Sequence, residues 1–101
     1  METIITKEEI ARKNDLLRKN MEGGKVLFTS GVQASEDLQE IVNAVRAFND
    51  FSPDNDPEHD FGKVVVNGDE YFWKIDYYDD NYEYFKEDGN RVMTIMLSHE
   101  Y

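Results

Sequence analysis

The dipeptide Asn67-Gly68 restricts this chain more than any other local feature. Asn-Gly is the pair favoured by a two-residue type I′ turn, because both central residues take positive φ and the turn's twist matches that of the strands it joins. With these two residues as the loop, Val66 faces Asp69 and Val64 faces Tyr71, which sets the pairing register. Side chains alternate across a strand, so Val64, Val66, Tyr71, Trp73, Ile75 and Tyr77 share one side, the expected core side. The other side carries Lys63, Val65, Glu70, Phe72, Lys74, Asp76 and Tyr78, a polar and aromatic mixture that suits water or a partner.

The flanking segments supply the rest of an α+β domain. Thr6 with Glu9 reads as a capping box, and Ile10, Leu17 and Met21 fall on one helical face before Gly23-Gly24, which predicts a helix over 7–21. Lys25 to Thr29 is a short β-prone run. Ser35 is the expected N-cap of a second helix, whose stripe is Leu38, Ile41, Val42, Val45 and Phe48. Asn49 to Gly62, with both prolines, Pro53 and Pro57, reads as a loop. Asp79-Asp80-Asn81 breaks the long strand, Tyr82 to Phe85 reads as a short irregular continuation, and Glu87 to Asn90 as a turn. Arg91 to Leu97 is apolar on both faces, as an interior strand is. The expectation is one domain over 1–101: two helices packed on one face of a three- to four-stranded, mainly antiparallel sheet, in the order α-β-α-β-β-β.

Charge separates the two halves. Residues 1–53 hold 9 acids and 7 bases, whereas residues 54–101 hold 13 acids and 4 bases, so most of the formal net charge of -11 belongs to the second half. Such a field repels nucleic acid and anionic membranes and attracts basic protein surfaces or cations. With no cysteine, disulfides, zinc-thiolate sites and thiol nucleophiles are excluded. The residues from Met1 to Lys7 include no apolar run of signal-peptide length, and no stretch of about 18 apolar residues occurs, so the expected location is cytoplasmic.

Two polar clusters are candidates for function. In Asp54-Asn55-Asp56-Pro57-Glu58-His59-Asp60 acids recur at every second position, a spacing that in an extended segment brings several oxygen ligands to one side. As a calcium loop it is poor: His59 stands where the glycine belongs, and Val65 stands where the closing Glu belongs. His59, flanked by carboxylates, is the candidate general acid or base. No serine occupies a nucleophile-elbow pattern and no glycine-rich phosphate loop is present, so no catalytic set, metal site or cofactor is assigned. The second cluster, Asp76 to Phe85, mixes acids with tyrosines and suits recognition of Arg and Lys on a protein surface.

Several segments carry a resemblance: Asn14-Asp15 with Leu17-Arg18, Gly23-Gly24-Lys25-Val26, Asp54-Asn55-Asp56-Pro57, His59-Asp60-Phe61-Gly62, Phe72 to Asp79, and Arg91 to Leu97 with Glu100-Tyr101. On these the chain resembles domain-of-unknown-function family 3768, a family of proteobacterial proteins often carried on plasmids and other mobile elements. The resemblance implies no set activity. Its mobile-element setting implies an inhibitor of host defence of the anti-CRISPR or anti-restriction kind, in which carboxylates stand in for DNA phosphates.

The leading expectation is therefore a non-enzymatic acidic binding protein that competes for a basic, nucleic-acid-binding surface. Its expected contact residues are Asp54, Asp56, Glu58, Asp60, Asp76, Tyr78, Asp79, Asp80, Tyr82 and Glu83. One alternative is a metal-dependent or hydrolytic site around the Asp54–Asp60 loop. Another is a structural subunit that self-associates through the face carrying Phe72 and Tyr78.

Overall fold

The computed structural model describes residues 5–52 and 54–101; the turn assigned to Pro53 and the reading of Met1 to Ile4 lie outside these. Helix α1 spans Lys7–Asn20, and the Thr6 Oγ1 caps it by accepting the Glu9 N–H at 3.2 Å. It stops earlier than the glycine pair implies. Met21 takes the left-handed conformation at φ 58° and donates its N–H to Leu17 O at 2.8 Å, so it is the cap and not the last helical residue. Strand β1 (Gly24–Phe28) and a four-residue helix α2 (Ser30–Gln33) follow. The sequence pattern gave no sign of α2, because it offers one apolar residue, Val32, rather than a stripe. Helix α3 runs over Leu38–Ala47, with Asp37 in the N-cap position; Ser35 instead accepts the Asp37 N–H and braces the turn before the helix.

Strands β2 (Phe61–Val66), β3 (Asp69–Tyr78) and β4 (Asn90–Leu97) complete the sheet, and a 3₁₀ turn covers Ser98–Glu100. The hairpin register is the expected one, with Val66 opposite Asp69 and Val64 opposite Tyr71, and Asn67 and Gly68 both at positive φ. The strand order is β1-β4-β3-β2, and the sheet is four-stranded and mixed. While β2, β3 and β4 form an antiparallel meander, β1 lies parallel to β4, with Gly24 beside Arg91 and Phe28 beside Ile95. The mainly antiparallel expectation is corrected at this edge. A three-residue link after α1 reverses the chain and delivers Gly24 to the end of the sheet at which β4 begins, and the direction of β1 follows from that. Tyr82 to Phe85 forms no strand, only one bridge from Phe85 to Tyr78.

The two longer helices and α2 lie on one face of the sheet. Leu17, Val32, Ile41 and Val45 meet Trp73, Met93 and Ile95 there, all of them fully buried. Burying a side chain of this size contributes about 1.5–3 kcal/mol. On the other face of the sheet, Val92 and Met96 of β4 are buried as well, 7% and 3% exposed.

Candidate functional site

Helix α1 carries a polar residue into this core. Asn14 lies on the same side of the helix as Ile10 and Leu17, and it has no solvent exposure. Its amide nitrogen donates to the Tyr77 hydroxyl at 2.8 Å and to the Glu58 carbonyl at 2.9 Å, while its oxygen accepts from Arg91 Nε at 2.8 Å. Both ends of the amide are thus used, which fixes its orientation. Arg91 continues to Asp88 at 2.7 Å, and Asp88 also takes Lys13 Nζ at 2.8 Å. The Tyr77 hydroxyl donates to Glu58 Oε1 at 3.2 Å. Burial pushes this phenol far above its usual range despite the Asn14 bond, with the charges of Asp60 and Glu58 adding to the rise, so it stays a donor.

This network floors a groove at the end of the sheet. The groove, about 370 Å³, is walled by Glu58, Asp60, Tyr77, Phe85, Glu87 and Asp88 with Lys7 and Ile10, and it adjoins a smaller hollow of about 230 Å³ that reaches Asp76 and Tyr78. Asp60 stands where the two meet. Its carboxyl is held above the ordinary carboxylate range, first by loss of solvation and then by the charge of Glu58, with Asp56 adding to it. Phe85, 73% exposed, forms an apolar wall against the acids.

On the other side of α1, Asp15 Oδ1 lies 3.0 Å from His59 Nδ1 and accepts from Arg18 at 2.8 Å. Arg18 is buried between the rings of Phe51 and Trp73, 5.2 and 5.4 Å from their centroids, and donates to Arg46 O. The His59 ring stacks on Phe51 at 3.9 Å, and its backbone takes the left-handed conformation, φ 57°, which is costly for a residue with a side chain. Beside it is a hollow of about 400 Å³ between α1, Phe51 and Pro57.

The model of the family described as Protein of unknown function (DUF3768) matches residues 28–100. The chain belongs to that family. Neither the curated proteins nor the solved structures contain a match to it. The DUF3768 match covers α2, α3, strands β2 to β4 and the 3₁₀ turn, and it begins at the last residue of β1. Asn14, Asp15 and Arg18 therefore stand outside the matched DUF3768 segment, while their partners Glu58, His59, Tyr77 and Arg91 stand inside it.

The ten residues expected from sequence to make contacts do not form one surface. Glu58 and Asp60 line the groove, and Asp76 and Tyr78 border the adjoining hollow. Asp76 also pairs with Lys74 at 3.2 Å. Asp54 is exposed in the preceding loop, where the Asp56 N–H is held by Ser52 O. Asp79 is a turn brace: its Oδ1 accepts the N–H groups of Glu83 and Asn81, which hold its carboxyl below the usual range. Tyr82 lies under Lys25, whose Nζ is 4.0 Å from the ring centroid, and Asp80 and Glu83 are exposed beside it. Among the described residues, no three of the histidines and carboxylates are grouped to hold a metal ion. The groove also recruits Phe85, Glu87 and Asp88, which sequence reasoning had assigned to a strand and a turn.

Proposed function

We propose that this DUF3768 protein is a non-enzymatic binding protein that receives a basic partner surface at the acidic end of its sheet. The observation that carries this reading is Asp60, a carboxylate crowded by Glu58 and Asp56 at the junction of two hollows, with an exposed phenylalanine beside it. An incoming Arg or Lys relieves that crowding, and Phe85 offers its aliphatic stem or its cation a ring to lie on. In the finer form of the reading, the partner is the nucleic-acid-binding surface of a host defence complex, the chain is carried on mobile elements, and its carboxylates occupy the positions of phosphates. No helix among the described residues is long and apolar enough to cross a membrane.

The test is capture of partners by the tagged protein from a lysate with active CRISPR and restriction systems, eluted in rising salt. Recovery of a nucleic-acid-binding complex that releases at moderate salt and is displaced by DNA supports the reading. A triple variant, Glu58→Gln, Asp60→Asn and Glu87→Gln, that stays folded and captures the same complex equally well refutes it.

One observation favours a second reading, a hydrolytic site at His59. Asp15 engages Nδ1 and leaves Nε2 as the nitrogen for a general base, and His59 lines the hollow beside α1. Hydrolysis of p-nitrophenyl acetate no faster by the protein than by its His59→Gln variant would sink it.

A further inference from the structure

One tight turn joins the groove to the hollow beside α1. The Asp56 carbonyl accepts the His59 N–H at 3.3 Å, with Pro57 in the second position of the turn and Glu58 in the third. Proline is favoured at the second position of such a turn and glycine at the last. Here the last residue is His59, in the left-handed conformation at φ 57°. Glycine would adopt that conformation without strain, whereas any side chain crowds its own backbone there. Contacts made by the imidazole offset the strain.

Those contacts grip the ring on an edge and on a face. His59 Nδ1 lies 3.0 and 3.2 Å from the two carboxylate oxygens of Asp15, and the ring stacks on Phe51 with the two planes 5° from parallel. Both supports are fixed to the core by one buried residue. Arg18 donates to Asp15 at 2.8 Å, and its guanidinium lies over the Phe51 ring.

The residues on either side of His59 serve the groove. Glu58 and Asp60 line it, while His59 lines the hollow. Two successive residues of α1 hold the turn: Asn14 donates to the Glu58 carbonyl at 2.9 Å, and Asp15 takes the His59 ring. Beyond the turn the Asp60 carbonyl accepts the Ile75 N–H of β3 at 2.8 Å. The conformation of His59 therefore sets how closely the Glu58 and Asp60 carboxyl groups crowd.

We propose that His59 is a positioning residue for the groove: its ring, gripped by Asp15 and Phe51, holds the left-handed turn that seats Glu58 and Asp60 side by side. The role rests on the groove being the binding site, and it names what keeps that site in shape. Without the grip the residue relaxes towards negative φ, Asp60 moves into water away from Glu58, and the paired acids that receive an Arg or Lys separate.

NMR of the side-chain carboxyl carbons of the full chain, titrated from about pH 2.5 to 7, tests this. In the unaltered protein Asp60 titrates above the ordinary carboxylate range, because burial and the charge of Glu58 oppose its ionisation. In His59→Ala, which keeps the strain and loses the grip, it should fall back to the range of an exposed aspartate while circular dichroism shows the fold intact. In His59→Asn it should stay raised, because asparagine keeps an N–H donor near the place of Nδ1 and tolerates the left-handed conformation. An Asp60 that titrates alike in His59→Ala and in the unaltered protein overturns the proposal. So does a fall to the exposed range in His59→Asn, and that outcome decides the matter whether or not His59→Ala folds. Asparagine has no counterpart of Nε2, so its result is independent of the hydrolytic reading. The titration needs no partner: capture that recovers none sinks the binding reading of the groove and leaves the role of His59 to be judged by the Asp60 carboxyl.

Discussion

Gly62 of β2 sits opposite Trp73 of β3 so closely that the Cβ of any other residue would collide with the indole nitrogen. Trp73 is fully buried, and its Nε1 has no hydrogen-bond partner among the described residues. The bare backbone of a glycine is what lets the indole approach the strand this closely.

Gly62→Ala should therefore destabilise the fold by about 1–3 kcal/mol, the usual cost of overpacking. In urea unfolding followed by Trp73 fluorescence, the midpoint should fall while the slope stays constant. An unchanged midpoint would mean that the strand and the indole move apart without strain.

Asn14→Leu fills a similar volume but takes a partner from each of Tyr77, Arg91 and the Glu58 carbonyl. Leaving a buried polar group unpaired costs about 1–3 kcal/mol, more where it is charged. The variant should lose about 2–4 kcal/mol by thermal or urea unfolding. A loss below 1 kcal/mol would show that water replaces the amide.

Asp60 and Asp88 should give opposite pH dependences. The folded protein holds the Asp60 carboxyl above its unfolded value, so ionisation of this group opposes folding: the penalty is full above the folded pKa and vanishes below the unfolded one. Asp60→Asn should stabilise the protein at pH 7, and the gain should disappear near pH 3. At Asp88 burial is outweighed by the bonds from Lys13 and Arg91, and the carboxyl is held low. Its contribution is present above the unfolded pKa and is lost as pH falls through the folded one. Asp88→Asn should be destabilising at pH 7 and nearly neutral in acid. Unfolding free energies of both variants from pH 3 to 7 check the two signs.

Glu100 ties the 3₁₀ turn to the start of α2. Its Oε1 accepts from Thr29 Oγ1 at 2.7 Å and from the Leu97 N–H at 2.9 Å, and its Oε2 from the Gly31 N–H at 3.2 Å. The Thr29 bond is the first cause of a carboxyl held below its usual range. Glu100→Ala should speed hydrogen exchange at Gly31 and Leu97 and free Tyr101 from Phe61 and Phe72. Unchanged exchange at both amides would place the turn's stability elsewhere.

Local chemistry made some of this legible in the sequence and left the rest hidden. Asn67-Gly68 encodes its own turn, so the register of β2 and β3, and with it the core side of the hairpin, could be read directly. The direction of β1 could not, because its partner residues in β4 lie more than sixty positions away and a five-residue edge strand carries no mark of direction. Glu58 and Asp60 stood out as acids in a turn-rich loop. Asn14 and Arg18 did not, since a polar residue on an apolar helical stripe gains meaning only from its partners, and those of Asn14 lie 44 to 77 residues away. Asp15 was hidden in the same way, because its link to His59 spans 44 residues.

The place of β4 between β3 and β1 also sets an order of assembly. The helix α3 and the β2–β3 hairpin can form from contacts close in sequence, but β1 has no edge to join until β4 is laid down beside β3. A chain emerging from the ribosome must therefore keep residues 24–28 unpaired while about sixty more are made, and the closing of the sheet is the long-range, slow step of folding. During that wait Leu27 and Phe28 are open to proteases and chaperones, and the rate at which β4 docks decides how long.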